Sequence, residues 1–290
     1  RTMSRSIVIL AGGLSHERDV SIRSGRRVAE ALRTVGESVT VHDLDASLLG
    51  DLAASRPDCV IPLLHGASGE DGSLRDVLDS LAIPYVGSRP DACRLAFDKM
   101  VAKAHVAGGD VRSAPAVALP HATFRDLGAG AVLDSLVARI GLPLVVKPVV
   151  GGSSVGISIV RRMEELQAAV DSALRHDAMV LIEAYIHGTE ITGGVLGNDT
   201  LEALPIIEIV PTTGHEFFDY QAKYLPGASE EICPARIDAE LTARAQHYAM
   251  EAHRTLFCRG YSRTDMMLRD RDIFVLETNT IPGMTATSLL

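Results

Sequence analysis

Arg263-Thr264-Asp265-Met266-Met267-Leu268, followed after a short gap by Leu276-Glu277-Thr278-Asn279-Thr280-Ile281-Pro282-Gly283-Met284, frames the reading of the whole chain. Each piece reads as a strand. Side chains two apart on a strand share a face. Arg263 and Asp265 therefore share one, and Glu277 and Asn279 share another. On neighbouring strands these four polar groups converge on one surface, with Met266, Leu268, Val275 and Leu276 around them. Hard cations such as Mg²⁺ take oxygen ligands and often share them with substrate phosphates. Any one of these residues alone would pass for a solvated strand face. The set gains its meaning from what lies upstream.

The N-terminal third alternates strand and helix. Residues 6–10, Ser-Ile-Val-Ile-Leu, form an apolar run ending in Ala11-Gly12-Gly13, the pattern of a buried parallel strand and its turn. A helix is expected from about Val20, with Ser24, Val28 and Leu32 four apart. Strands are expected at 37–41, 58–64 and 84–86, and a helix at 76–81. Such alternation implies a parallel sheet covered by helices, with ligands beyond the carboxyl ends of the strands. Two loops occupy that position, at 12–18 and at 65–72.

The pattern changes near Ser88. A helix is expected at 98–105 with Lys99 on its first turn. Residues 142–148 read as a strand carrying an inward Lys147, and residues 151–156, Gly-Gly-Ser-Ser-Val-Gly, as a small flexible loop. A strand resumes at 157–160 and an amphipathic helix spans 163–174. Further strands are expected at 179–186, 190–196 and 206–210. Leu241, Ala245, Tyr248, Ala249, Ala252 and Leu256 mark one face of a long helix.

Composition narrows the function classes. The 28 Lys and Arg against 37 Asp and Glu give a net charge of −9, with no basic stripe of the kind nucleic acid requires. A phosphate ligand must then be held by a few local cations and backbone amides. Cys59, Cys93, Cys233 and Cys258 are scattered, with no C-x-x-C, so free thiols in a reducing cytoplasm are expected. No secretory signal is read, and no apolar run nears the ~18 residues of a membrane span.

A Gly/Ser loop lets successive backbone N–H groups face an anion. This one is not a Walker loop, because no Gly-Lys-Ser/Thr follows it, and no G-x-G-x-x-G occurs anywhere in the chain. On its own it could be a plain hairpin. Lys147, four residues upstream in an apolar strand, needs an anionic partner, since an unpaired buried charge is costly.

The chain resembles the D-alanine–D-alanine ligases of the ATP-grasp superfamily. The likeness is carried in order by residues 12–21, 64–72, 83–88, 97–99, 146–148, 152–156, 219–224 and 277–284, with Ser288-Leu289. It implies an α/β chain whose ATP-grasp fold is preceded by a Rossmann-like parallel-sheet domain. The implied division is 1–90, 91–182 and 183–290.

By that resemblance, Lys99 and Lys147 grip the ATP phosphates, and Ser153 and Ser154 lie on the loop that closes over them. Glu183 takes the adenine amino group, Tyr185 and Ile186 line the hinge, Glu190 binds the ribose, Phe217 packs on adenine, and Lys223 lies on a mobile lid. Asp265, Glu277 and Asn279 hold two Mg²⁺ ions, with Mn²⁺ an alternative. Glu17 pairs with the first substrate's ammonium and forms a hydrogen-bonded triad with Ser153 and Tyr224. His65 sits near the first substrate. Arg263 and the Gly283 amide form an oxyanion hole, and Ser288 with the Leu289 amide holds the second substrate's carboxylate.

The implied reaction joins two D-alanines through an acyl phosphate, for peptidoglycan precursor synthesis in the cytoplasm. D-amino acids are the small-molecule substrates and a homodimer is expected. Tyr224 favours an amine over a hydroxy acid as acceptor. Two other readings stay open: a related ligase acting on other D-amino acids or closing a ring, and a nucleotide-binding homologue without catalysis. The chain has Phe97 where the family has Met, and Asp91-Ala92 where it has Ser-Ala. On the residues alone, Glu17 and Arg18 could instead pair with each other.

Overall fold

The structure, a computed structural model, describes residues 4–152, 155–211 and 229–290. The first apolar run becomes β1 (Ser6–Leu10), which pairs in parallel with β2 (Ser38–His42) and β3 (Cys59–Pro62). The order β2-β1-β3 places the most apolar strand in the middle. Helix α1 (Arg18–Thr34) sets Ala29, Val28 and Leu32 against Ile9, Ala11 and Leu63. On the other side α2 (Leu48–Ser55) buries Leu48 and Leu52 beside Val8, Leu10 and Val60. Each such fully buried aliphatic contributes about 1.5–3 kcal/mol.

Two short helices follow β3: α3 (Ala67–Glu70) and α4 (Ser73–Ser80). Gly69 is required here, because a Cβ on it would lie 1.9 Å from the Leu64 carbonyl oxygen. The strand expected at 84–86 does not form. Only Tyr85 bridges to Val60, through Val60 N–H donating to the Pro84 carbonyl and Val86 N–H donating to the Val60 carbonyl. Pro84 has no N–H for a ladder, and Gly87 at φ 99° turns the chain away.

Helices α5 (Pro90–Phe97) and α6 (Lys99–Val106) come next. Asp98 caps α6 by accepting from the Met100 and Val101 amides. The second sheet contains β4 (Ala116–Pro120), β5 (Leu144–Pro148), β6 (Ser158–Val160) and β7 (Met179–Ala184). Its order is β4-β7-β5-β6, antiparallel throughout. Helices α7 (His121–Leu127), α8 (Ala129–Ile140) and α9 (Met163–Leu174) pack on Leu144, Val146, Val180 and Ile182. Strand alternation sends Lys147 and Glu183 to the opposite face.

The third sheet runs β11-β10-β8-β12-β13, with β9 added to β8. Its strands are β8 (Thr189–Gly197), β9 (Leu201–Ala203), β10 (Ile207–Pro211), β11 (Ser229–Ile232), β12 (Gly260–Arg269) and β13 (Asp272–Asn279). Helix α10 (Ala239–Thr255) lays Leu241, Ala245, Tyr248 and Ala249 on it. Met266, Leu268 and Val275 belong to this helix-side core rather than to the polar surface, as do Ala96, Ala102 and Val106 of α5 and α6. Among the described residues no helix is long and apolar enough to cross a membrane.

Candidate active site

β12 and β13 are antiparallel neighbours, with Arg263 opposite Asn279 and Asp265 opposite Glu277. The four polar groups therefore meet. The register shifts just after Asp265, which lets Met267 and Leu276 join the polar side while Met266 goes to the core. Arg263 grips Asp265 in a fork, Nε to Oδ1 at 2.9 Å and a terminal nitrogen to Oδ2 at 2.8 Å. Thr192 on β8 donates to Oδ1 at 2.6 Å, and the Asn279 amide donates to Oδ2 at 3.2 Å.

Facing this surface are the lysines of α6 and β5. Lys99 Nζ donates to the Gly151 carbonyl at 2.6 Å and stands 3.7 Å from Glu277 Oε2. The anionic partner of Lys147 is Glu183, with Nζ 2.5 Å from Oε1. Lys103 Nζ lies 2.8 Å from the other oxygen, Oε2. That contact is a buried ion pair. Burial pushes the Glu183 carboxyl up, but Lys103 and Lys147 outweigh it and hold the group down to about 2. Burial also pushes Lys147 down, yet Glu183 and Glu277 leave it raised. Lys103 stays lowered, by burial and then by the Lys147 charge, against the pull of Glu183.

Among the described residues, three hollows adjoin these groups. The largest, about 730 Å³ including its mouth, is walled by Val145, Lys147, Ile157, Glu183, Tyr185, Ile186, Glu190, Asp265, Met267 and Glu277. It is mostly apolar with a few polar groups on its walls, which suits a flat heterocycle. A second is walled by Lys99, Lys147, Gly151, Gly152, Val155 and Glu277. A third is walled by Glu70, Phe97, Lys99, Gly152, Glu277 and Asn279.

The N-terminal sheet supplies the remaining side. Glu17 precedes α1 and is buried; Arg18 pairs with Asp43 at 2.5 Å rather than with Glu17. A Cβ added at Gly152 would lie 3.1 Å from Glu17 Oε2 and 3.7 Å from Glu70 Oε2, so both carboxyls point at the glycine loop. Burial, then the Glu17 charge, pushes Glu70 up to about 8, although its Oε2 accepts from the Gly66 amide at 2.8 Å. Burial lowers the His65 imidazole, with Glu17 opposing. Gly283 packs on Ser288, whose Oγ would be 2.9 Å from an added Cβ and accepts from the Thr285 amide at 2.8 Å. Leu289 is buried beside Ile209.

Glu17, His65, Lys99, Lys147, Glu183, Tyr185, Ile186, Glu190, Arg263, Asp265, Glu277 and Asn279 thus line or adjoin one cleft, with Gly283 and Ser288 on the closing segment. Ser153, Ser154, Phe217, Lys223 and Tyr224 lie outside the described residues. Sequence reasoning gave no role to Lys103, Glu70 or Thr192. Glu70 stood inside a quoted loop and could have been found there. Lys103 and Thr192 sit in ordinary helix and strand patterns that carry no signal.

A model of the family described as D-ala D-ala ligase C-terminus matches residues 111–290. The D-alanine–D-alanine ligase of Syntrophobacter fumaroxidans is 49% identical over 290 residues, covering 99% of this chain and 91% of that protein. A D-alanine–D-alanine ligase from Bacillus anthracis complexed with ATP superposes with a TM-score of 0.82 at 31% identity, covering 99% and 90%. The VanG D-Ala:D-Ser ligase from Enterococcus faecalis gives a TM-score of 0.83 at 30% identity, covering 99% and 93%.

Proposed function

Because this chain belongs to the D-alanine–D-alanine ligase family, we propose that it joins two D-alanines with ATP to supply the dipeptide for peptidoglycan. It has the ATP-grasp fold behind a small parallel sheet. One observation carries the site reading: Glu277 borders all three hollows, so one carboxylate adjoins the heterocycle-sized space, the lysine-lined space and the space beside Glu70. ATP laid along that line puts adenine against Glu183, Tyr185 and Ile186, ribose at Glu190 and phosphates at Lys147 and Lys99.

Asp265, Glu277 and Asn279 offer only hard oxygen donors, the set that Mg²⁺ prefers, with phosphate oxygens and water completing each shell. Such ions would neutralise phosphate charge in a protein of net charge −9. Asp265 arrives with its carboxylate already oriented by Arg263, Thr192 and Asn279.

The first D-alanine's carboxylate attacks the γ-phosphorus, forming a C–O–P linkage while the bond to ADP breaks. The second D-alanine's amine then attacks that carbonyl, and phosphate departs as the C–N bond forms. Glu17 pairs with the first ammonium beside a neutral His65. Arg263 and the Gly283 amide face the oxyanion of the tetrahedral intermediate. Ser288 and the Leu289 amide hold the second carboxylate, Glu17, Ser153 and Tyr224 form the triad near the attacking amine, and Lys223 joins the ATP-binding set. We further read the chain as three units, near 1–90, 91–182 and 183–290, working as a cytoplasmic homodimer.

The test supplies ATP, Mg²⁺ and a panel of D-amino acids, and follows phosphate release and dipeptide. D-alanine alone giving D-alanyl-D-alanine is the expected result. The likeness to a D-Ala:D-Ser ligase favours a second reading, another amino acid in the acceptor position, and a mixed dipeptide would establish it. Nucleotide binding with no turnover on any member would overturn both.

A further inference from the structure

Lys103 is a buried cation that touches neither the heterocycle-sized hollow nor the lysine-lined one. Its side chain is 4% exposed and is absent from the walls of both. It stands behind Glu183, one helical turn after Lys99 on α6. Lys147 differs, because it forms part of the wall of both hollows. Glu183 thus has a cation on each oxygen, one facing ligand space and one sealed away from it.

The arrangement poses a charge problem. While Lys147 is paired with Glu183, its charge is largely neutralised and its attraction for a phosphate is weakened. When Lys147 turns to a phosphate, a carboxylate 3% exposed would be left without a counterion, and an uncompensated buried charge costs several kcal/mol. A second lysine already 2.8 Å away removes that penalty. Lys147's own charge is one of the influences lowering Lys103, so its departure strengthens the hold of Lys103 on its proton.

We propose that Lys103 is a positioning residue that serves as the standing counterion of Glu183, so that Lys147 can exchange Glu183 for the nucleotide's phosphate. This rests on the reading of Lys147 as a phosphate ligand. Lys103 itself never touches nucleotide. Its effect is confined to ligands that carry phosphate, because Glu183 keeps one lysine in either case when no phosphate competes.

The experiment measures binding of MgADP and of adenosine by calorimetry. Lys103→Met should weaken MgADP about tenfold or more while leaving adenosine nearly unchanged, the pattern of one lost charge-assisted contact. Equal loss of both ligands would mean that Lys103 merely supports the fold, and no loss would mean that Glu183 needs no second cation. Either overturns the proposal. Should Lys103→Met fail to fold, Glu183→Gln is compared with the electroneutral double variant Lys103→Met/Glu183→Gln. The two should bind MgADP alike, because Lys103 then has no charge to balance; a marked difference would sink the idea. Lys147→Met separates the premise from the proposal. Weaker MgADP binding there, with Lys103→Met unaffected, defeats only the Lys103 role. Unchanged binding in Lys147→Met defeats the phosphate reading and the proposal with it.

Discussion

At the scale of single residues, Glu70 is displaced from its solution behaviour in a way that pH can report. Its folded value of about 8 lies above the ordinary 4.5, with burial and the Glu17 charge as causes. The folded state therefore holds a proton that the unfolded chain releases. Stability from this group is whole below about pH 4.5 and is lost as pH rises through about 8. The ligand-free protein should melt at a lower temperature near pH 8.5 than near pH 6, and Glu70→Gln should flatten that slope. An unchanged slope in the variant would remove Glu70 as the cause. Arg263 permits a kinetic test. Arg263→Ala should lower turnover at saturating MgATP by about 10²–10³, the loss expected of an oxyanion donor, and should also weaken MgADP because the Asp265 carboxylate loses its fork. A variant with normal turnover would end that assignment. Individual residues were legible in the sequence where a motif surrounded them, as with Asp265, Glu277 and Asn279. Lys147 announced only that it needed an anion. That the anion is Glu183 depends on β5 and β7 lying side by side, a fact of tertiary register.

Elements explain why some of the chain could be read and some could not. The apolar runs at β1, β5 and β7, and the amphipathic α9 and α10, carry their own period and were expected close to where they occur. β4, Ala116–Pro120, has one β-branched residue and becomes a strand by pairing with β7. The 84–86 segment looked like a strand and failed for want of an N–H at Pro84. Helix α6 matters most to the site, since it carries Lys99 and Lys103 on successive turns. Its N-cap is Asp98, which accepts from two amides. Asp98→Ala should cost about 1 kcal/mol in denaturant unfolding. It should also raise the KM for ATP, because both lysines ride on the first two turns. A full loss of stability with an unchanged KM would show that the lysines are held by their ion pairs and not by the helix.

For the whole molecule, the site exists only where three separately packed sheets meet. The parallel sheet brings Glu17, His65 and Glu70, the β4–β7 sheet brings Lys147 and Glu183, and the β8–β13 sheet brings Arg263, Asp265, Glu277 and Asn279. The first and last are tied by α1, which reaches the segment after β13. The Met284 amide donates to Ser24 Oγ at 3.0 Å, and Arg27 donates to the Thr285 carbonyl. Ser24 is fully buried, so removing its hydroxyl leaves the Met284 N–H unsatisfied, at a cost of about 1–3 kcal/mol. That cost falls on the strip bearing Gly283 and Ser288, neither of which lines the heterocycle-sized hollow. Ser24→Ala should therefore raise the KM for the second D-alanine and leave the KM for ATP near its original value. Steady-state kinetics with each substrate varied in turn separates the two. If both constants rise together, α1 steadies the whole cleft, and the acceptor subsite is not independently anchored to the N-terminal sheet.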